Sequence, residues 1–191
     1  MTTDKKLDDF NAADRINLRL LDNRVHFLVG EIEESNINDA IKWIVYENLE
    51  ARQPKTLTLY INSFGGDLYQ AFALIDIMKA SRCPIRTIGI GSIMSAAFLI
   101  FASGSKGDRL IAPNTGIMCH QYSDGLEGKH HDIKAQMKEG ETCNTRMLNI
   151  LKDATGLPIR TIKSKLLPAT DVYLTAQELL DLKVADHILI K

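Results

Sequence analysis

Cysteine is scarce in this chain: Cys83, Cys119 and Cys143 are the only three among 191 residues, widely spaced and with no CxxC pair. An odd number at such spacing excludes a disulfide scaffold and leaves thiols kept in a reducing compartment as the expectation. Charge of one sign is lacking too. Lysine and arginine number 23 against 24 aspartates and glutamates, a formal net charge of −1. No basic field is available to hold a phosphate backbone, so nucleic acid is not an expected partner. The longest strongly apolar run, residues 93–102, is far short of the ~20 residues that span a bilayer and is broken by Ser95. The N-terminal MTTDKKLDDFNAADR is polar and acidic, without the apolar segment of a signal peptide. Cytoplasmic localisation, away from any membrane, is expected. HExxH and Cys/His groupings of metal-ligand spacing are missing, as are a G-x-G-x-x-G fingerprint, a GxxxxGK[ST] loop and a GxSxG elbow. No metal and no cofactor of this chain's own is therefore expected.

What is present is ordinary globular material: 45% apolar residues in a length suited to one domain with a real core. Residues 1–15 read as a mobile arm and 16–191 as a single domain, without repeats or low-complexity tracts. Residues 24–30 (RVHFLVG) read as a first strand. Apolar residues at Ile37, Ile41, Ile44, Val45 and Leu49 follow a helical period over 36–52, which Pro54 stops. TLTLYIN, 56–62, is rich in β-branched and aromatic residues and predicts a strand. The turn SFGGD follows, and Leu68, Ala71, Phe72, Ile75 and Met78 mark a second helix. A third strand is expected over 85–90, then a helix buried on all sides in SAAFLIFASG. A short strand at 116–120, a long helix over 130–154 ended by Gly156-Leu157-Pro158, and a helix opened by the capping-box pair Thr175 and Glu178 complete the pattern, with a last strand within 185–190. Alternation of strand and helix predicts an α/β unit on a mainly parallel sheet.

Four positions carry chemistry in their residue type and setting. In Asn62-Ser63-Phe64-Gly65-Gly66, two glycines between strand and helix allow a close approach to the backbone. Their amides either serve a plain left-handed turn or donate to a negative oxygen. Ser95 stands where a buried helix begins, placed equally to cap that helix or to act as a nucleophile near free backbone N–H groups; Ser92 competes for both roles. His120 ends the run GIMCH, where a base can project over a site or simply be a satisfied structural histidine. His26, His130, His131 and His187 read as structural or solvated. Asp171 opens DVYLTAQELL, but 24 acidic residues leave position alone unable to select it.

Four blocks make these residues a set: LYINSFGGDLYQAFALIDIM at 59–78, TIGIGSIMSAAFLIFASGSKGDR at 87–109, PNTGIMCHQ at 113–121 and DVYLTAQELLDLKVADHIL at 171–189, with a weaker one, RLLDNRVHFLVG, at 19–30. In order and spacing the chain resembles the proteolytic subunits of Clp protease from about residue 15 onward. The resemblance implies a crotonase-like α/β spiral head with a protruding helix-and-strand handle at about 121–154. It implies a serine endopeptidase with Ser95 as nucleophile, His120 as base and Asp171 orienting the base, and an oxyanion hole from the amides of Gly66 and Ala96. Ser95 follows Gly91 by four and precedes Gly104 by nine, the family spacing, which Ser92 does not meet. Two stacked heptameric rings of the chain itself are implied, along with a hexameric AAA+ unfoldase that consumes the ATP and unfolded polypeptide as substrate. Departures are Phe64 and Tyr122 where proline is usual, Ala96 where methionine is usual, a longer SKLLPAT segment before Asp171, and a charged N-terminal arm. Those at the arm and before Asp171 leave room for a weakly active or non-catalytic ring subunit. A crotonase-like enzyme acting on an acyl-coenzyme A is a more distant alternative.

Overall fold

The structure, a computed structural model, describes residues 11–50 and 53–189. Elements run α1 (Ala12–Asp22), β1 (Val25–Val29), α2 (Glu34–Glu50), β2 (Leu57–Ser63), α3 (Leu68–Ala80), β3 (Ile85–Met94), α4 (Ala96–Ala102), β4 (Arg109–Ile111), β5 (Gly116–Cys119), α5 (His130–Thr155), α6 (Ile159–Lys165), β6 (Val172–Leu174), α7 (Ala176–Asp181) and β7 (His187–Ile188). The expected arm boundary falls inside α1. Asn11 caps that helix by accepting the Asp14 N–H, so residues 12–15 form its first turn, and 1–10 lie outside the described residues. The end of the helix expected over 36–52 also lies outside them.

The strands form one open sheet in the order β1-β2-β3-β4-β7, with β5 on β3 and β6 on β5. Every pairing is parallel except β5 with β6. The alternating helices account for this, because parallel neighbours need crossovers. Strand β2 buries Leu57, Leu59, Ile61 and Ser63 on one face and half-buries the other. This is an α/β fold of crotonase-like architecture with an open, non-barrel sheet. Among the described residues no helix is long and apolar enough to cross a membrane.

Strand β3 is longer than its expected span of 85–90, and the extra length matters. Ile61 pairs with Gly89, but Ser63 pairs with Ile93, so β3 carries a bulge opposite Asn62. Gly91 sits in the bulge with φ +59, and a Cβ there would meet Asn62 Oδ1 at 2.5 Å. The freed backbone is recaptured: Asn62 Oδ1 accepts from the Ser92 N–H (3.0 Å) and from its hydroxyl (3.1 Å). Beyond the bulge β3 exchanges its partner, from β4 at residues 87–89 to β5 at 92–94. A bulge re-aims a strand in this way. Strands β4 and β6, each of three residues, are too short to show a period and were not legible in the sequence.

Helix α4 is completely buried, Phe98 and Phe101 included, and its alanines let it lie close among β2, β3, β5, α3 and α5. Helix α5 buries side chains only from Cys143 onward, which leaves its N-terminal half largely exposed. Gly156 ends it at φ +72, accepting the left-handed conformation of the cap. Arg109 is the polar pin beneath these layers. Its side chain is 3% exposed; it makes two hydrogen bonds to the Asp186 carboxylate at 2.8 and 2.7 Å and also donates to the backbone oxygens of Ala102 and Ala154. Partial burial alone would push the Asp186 carboxyl up, but hydrogen bonds from Arg109 and from the Arg109 and Gly107 amides outweigh it and hold the group below its ordinary range.

Asp186→Asn, which leaves Arg109 buried without its counter-charge, is expected to cost about 3 kcal/mol in denaturant unfolding at neutral pH. The folded-state carboxyl titrates below its unfolded value of ~3.9, so the advantage of wild type over the variant is present above that pH and shrinks as pH falls through the folded value.

Candidate active site

The end of β3 and the start of α4 meet at Ser95, whose backbone takes φ +52, ψ −122. A non-glycine residue rarely adopts this conformation, and it costs of order 1–3 kcal/mol unless its surroundings enforce it. Here they do. The Ser95 N–H donates to Met118 O at 2.9 Å, extending the β3–β5 ladder by one bond, while the Ser95 carbonyl accepts from Phe98 at 3.0 Å to begin α4. Both flanking elements are buried, so neither can move to relieve the turn. The side chain makes no capping bond to α4. It is turned toward the cleft instead.

The same ladder brings His120 alongside. Met94 pairs with Met118, so Ser95 and His120 lie one and two residues beyond matched positions on parallel neighbours. Ser95 Oγ and His120 Nε2 are 2.8 Å apart, full hydrogen-bond distance across 25 residues of sequence. Asp171 approaches from the other side. In the antiparallel β5–β6 pair Cys119 faces Val172, so the next step of the register sets His120 opposite Asp171. Residues opposite one another on an antiparallel pair project to the same face. No hydrogen bond joins Asp171 to His120, and Asp171 is exposed. The structure thus brings two of the three predicted side chains into contact and sets the third beside them without a bond. Ser92, the competing serine, is buried and committed to Asn62.

The two glycines of the turn do different work. Gly65 lies against the strained serine: a Cβ on it would stand 2.7 Å from Ser95 Cβ and 2.9 Å from Met94 O. Gly66 bridges to Ile32 through bonds made by its neighbours, Ile32 N–H to Gly65 O and Asp67 N–H to Ile32 O, both 2.8 Å. The Gly66 N–H is therefore not used by the bridge. The Ala96 N–H, at the first position of α4, has no partner within its helix. Gly66, Ser95, Ala96 and His120 line one open cleft of about 530 Å³, walled by Leu68, Tyr69, Tyr122 and Met147. Such a volume accommodates a few residues of extended chain. His26 stacks on Trp43 away from this cleft, its imidazole pulled below the ordinary range by burial against the opposing pull of Asp39.

A family model described as Clp protease matches residues 9–191. The chain belongs to the Clp protease family. It is 32% identical over 171 residues to the ATP-dependent Clp protease proteolytic subunit 1 of Rhodopirellula baltica, a match covering 90% of this chain and 74% of that protein. The chain is accordingly a proteolytic subunit of the family, with a serine-peptidase function, and the family forms self-compartmentalising proteases.

Two further residues shape this Clp-type site: Tyr69, which lines the cleft, and Asn62 of the glycine-turn motif, which supports the site from outside that lining. Asn62 holds the bulge that aims β3. Tyr69, whose hydroxyl donates to Glu139 at 2.8 Å, ties α3 to α5. Tyr69 lies just off the apolar stripe of α3 and had no signal of its own, whereas Asn62 sits inside the matched INS block. Among the described residues no cluster of metal-ligating side chains occurs. The three cysteines are free and buried.

Gly66→Ala puts a Cβ at φ +146 against the Ile32 backbone, 2.8 Å from its nitrogen. It is expected to lower stability by about 3 kcal/mol in chemical denaturation, whereas Gly107→Ala, with nothing near its Cβ, pays only for its φ.

Proposed function

We propose that the chain is a serine endopeptidase in which Ser95 is the nucleophile and His120 the general base. The observation that carries this reading is the 2.8 Å contact between Ser95 Oγ and His120 Nε2 in a cleft also lined by Gly66 and Ala96. Ser95 Oγ attacks the carbonyl carbon of a peptide bond as its proton passes to His120 Nε2. The tetrahedral oxyanion is received by the amides of Gly66 and Ala96, worth roughly 3–4 kcal/mol of barrier for a single donor. Collapse breaks the C–N bond, and His120 returns the proton to the departing amine. Water then repeats the sequence on the acyl-enzyme and restores Ser95.

Asp171 is the third member in this account. Its carboxylate, opposite His120 in the β5–β6 register, reaches the imidazole by side-chain rotation and fixes the tautomer that leaves Nε2 free to accept. The absence of a resting bond between the two supports a subunit whose activity rises on assembly, when the segment before Asp171 is held.

The assembly proposed is two stacked heptameric rings enclosing the clefts, in the cytoplasm, where three free thiols persist. Unfolded polypeptide is delivered by a hexameric AAA+ unfoldase, which binds and spends the ATP; short peptides enter unaided.

With fluorogenic peptides and the purified particle, Ser95→Ala is expected to reduce kcat by on the order of 10⁴-fold or more, and Asp171→Asn by about 10²–10⁴-fold. Ser92→Ala is expected to retain activity. Equal rates for Ser95→Ala and wild type would sink the assignment.

A further inference from the structure

His120 makes one side-chain hydrogen bond, to Ser95, and none to Asp171. Its place is set through the backbone on either side. Upstream, Cys119 is held in the ladder opposite Val172. Downstream, two successive residues are tied to different elements. Gln121 Nε2 donates to Leu167 O at 3.0 Å, and the Tyr122 N–H donates to Asn144 Oδ1 at 2.8 Å.

The second tie is built into α5. Asn144 is half-buried on α5, one turn after Gly140 and one turn before Met147, so the three share a face. Gly140 faces the Tyr122 ring: a Cβ there would make ordinary contact with two ring carbons, at 3.4 and 3.6 Å. Met147 lines the cleft that holds Ser95 and His120. The Tyr122 hydroxyl is anchored in turn, donating to Asp124 at 2.7 Å. Face 140–144–147 of α5 is thus a wall on which the chain just after His120 is fastened, and one side-chain oxygen does the fastening.

We propose that Asn144 is a positioning residue for catalysis, holding the imidazole of His120 at Ser95 through the Tyr122 N–H; this rests on the roles given above to Ser95 and His120. Loss of the acceptor leaves the Tyr122 amide unsatisfied, and the segment shifts to find water. A misplacement of ~1 Å at reacting groups costs up to about 10²-fold in rate. Asn144 itself does not line the cleft, so the substitution removes no direct substrate contact.

The test compares wild type, Asn144→Ala, Asn144→Asp and Ser95→Ala as full-length particles on a fluorogenic peptide, with thermal melting alongside. Alanine is a better helix former than asparagine, so α5 itself is not weakened by the first variant. Asn144→Ala is expected to lower kcat about tenfold, with KM affected less than kcat. Asn144→Asp, which keeps an acceptor for the amide, is expected to recover most of that rate. A wild-type kcat in Asn144→Ala overturns the proposal, as does a loss in Asn144→Asp equal to that in Asn144→Ala. If Ser95→Ala is inactive while both Asn144 variants match wild type, only the positioning role fails. Full activity in Ser95→Ala removes the reading beneath it.

Discussion

Ser95 is held in a conformation that serine does not choose, and most of the structure near it is what makes that conformation tolerable. The residue closes a buried strand and opens a helix with no exposed side chain. A positive φ at such a junction turns the hydroxyl out of the core and toward the cleft, instead of back along the helix as a cap. The strain is of order 1–3 kcal/mol. It is offset locally by the bond to Met118 and by the burial of α4, while the hydroxyl itself pairs with His120.

The rest of the site follows from that turn. Its depth in the sheet is set by the bulge at Gly91, which lets β3 leave β4 and join β5, and β5 is the strand that delivers His120. Gly65 must be glycine because the turn occupies the space a Cβ would need. The unengaged Gly66 amide comes from a bridge whose bonds are made by Gly65 and Asp67. Ser95, His120 and the Gly66 and Ala96 amides, the proposed nucleophile, base and donors, thus come from three loops that meet at the carboxyl ends of parallel strands, where open α/β sheets present their sites. The Arg109–Asp186 pin ties β4, α4, α5 and the turn before β7 beneath them, so the layers carrying these loops stay in register.

Local pattern was legible where local physics decides. The alternation of 57–62, the helical stripe at Leu68 to Met78 and the capping box at Thr175 each appear close to where they were expected, since each depends on neighbours in sequence. What was illegible depends on distant partners. The continuation of β3 past Gly91 needs Asn62 to accept from Ser92; strands β4 and β6 exist because β3 and β5 offer edges to them. Ser95 is the clearest case. Its residue type and place before a buried helix suited a cap as well as a nucleophile, and only its backbone angles and the His120 contact separate the two. Asp171 shows the reverse limit: family spacing singled it out, and the β5–β6 register sets it opposite His120 without a bond. Charge content and helical period carry no information about whether that bond forms.

A strained serine paired with His120 is proposed to form a covalent acyl intermediate. That step is tested most directly by treating the assembled particle with a peptidyl phosphonate, digesting it, and locating the adduct by mass spectrometry. A single modified peptide is expected, with the phosphorus on Ser95, and labelling is lost when His120 is replaced by alanine. An adduct on Ser92, or equal labelling of Ser95 without His120, would contradict it.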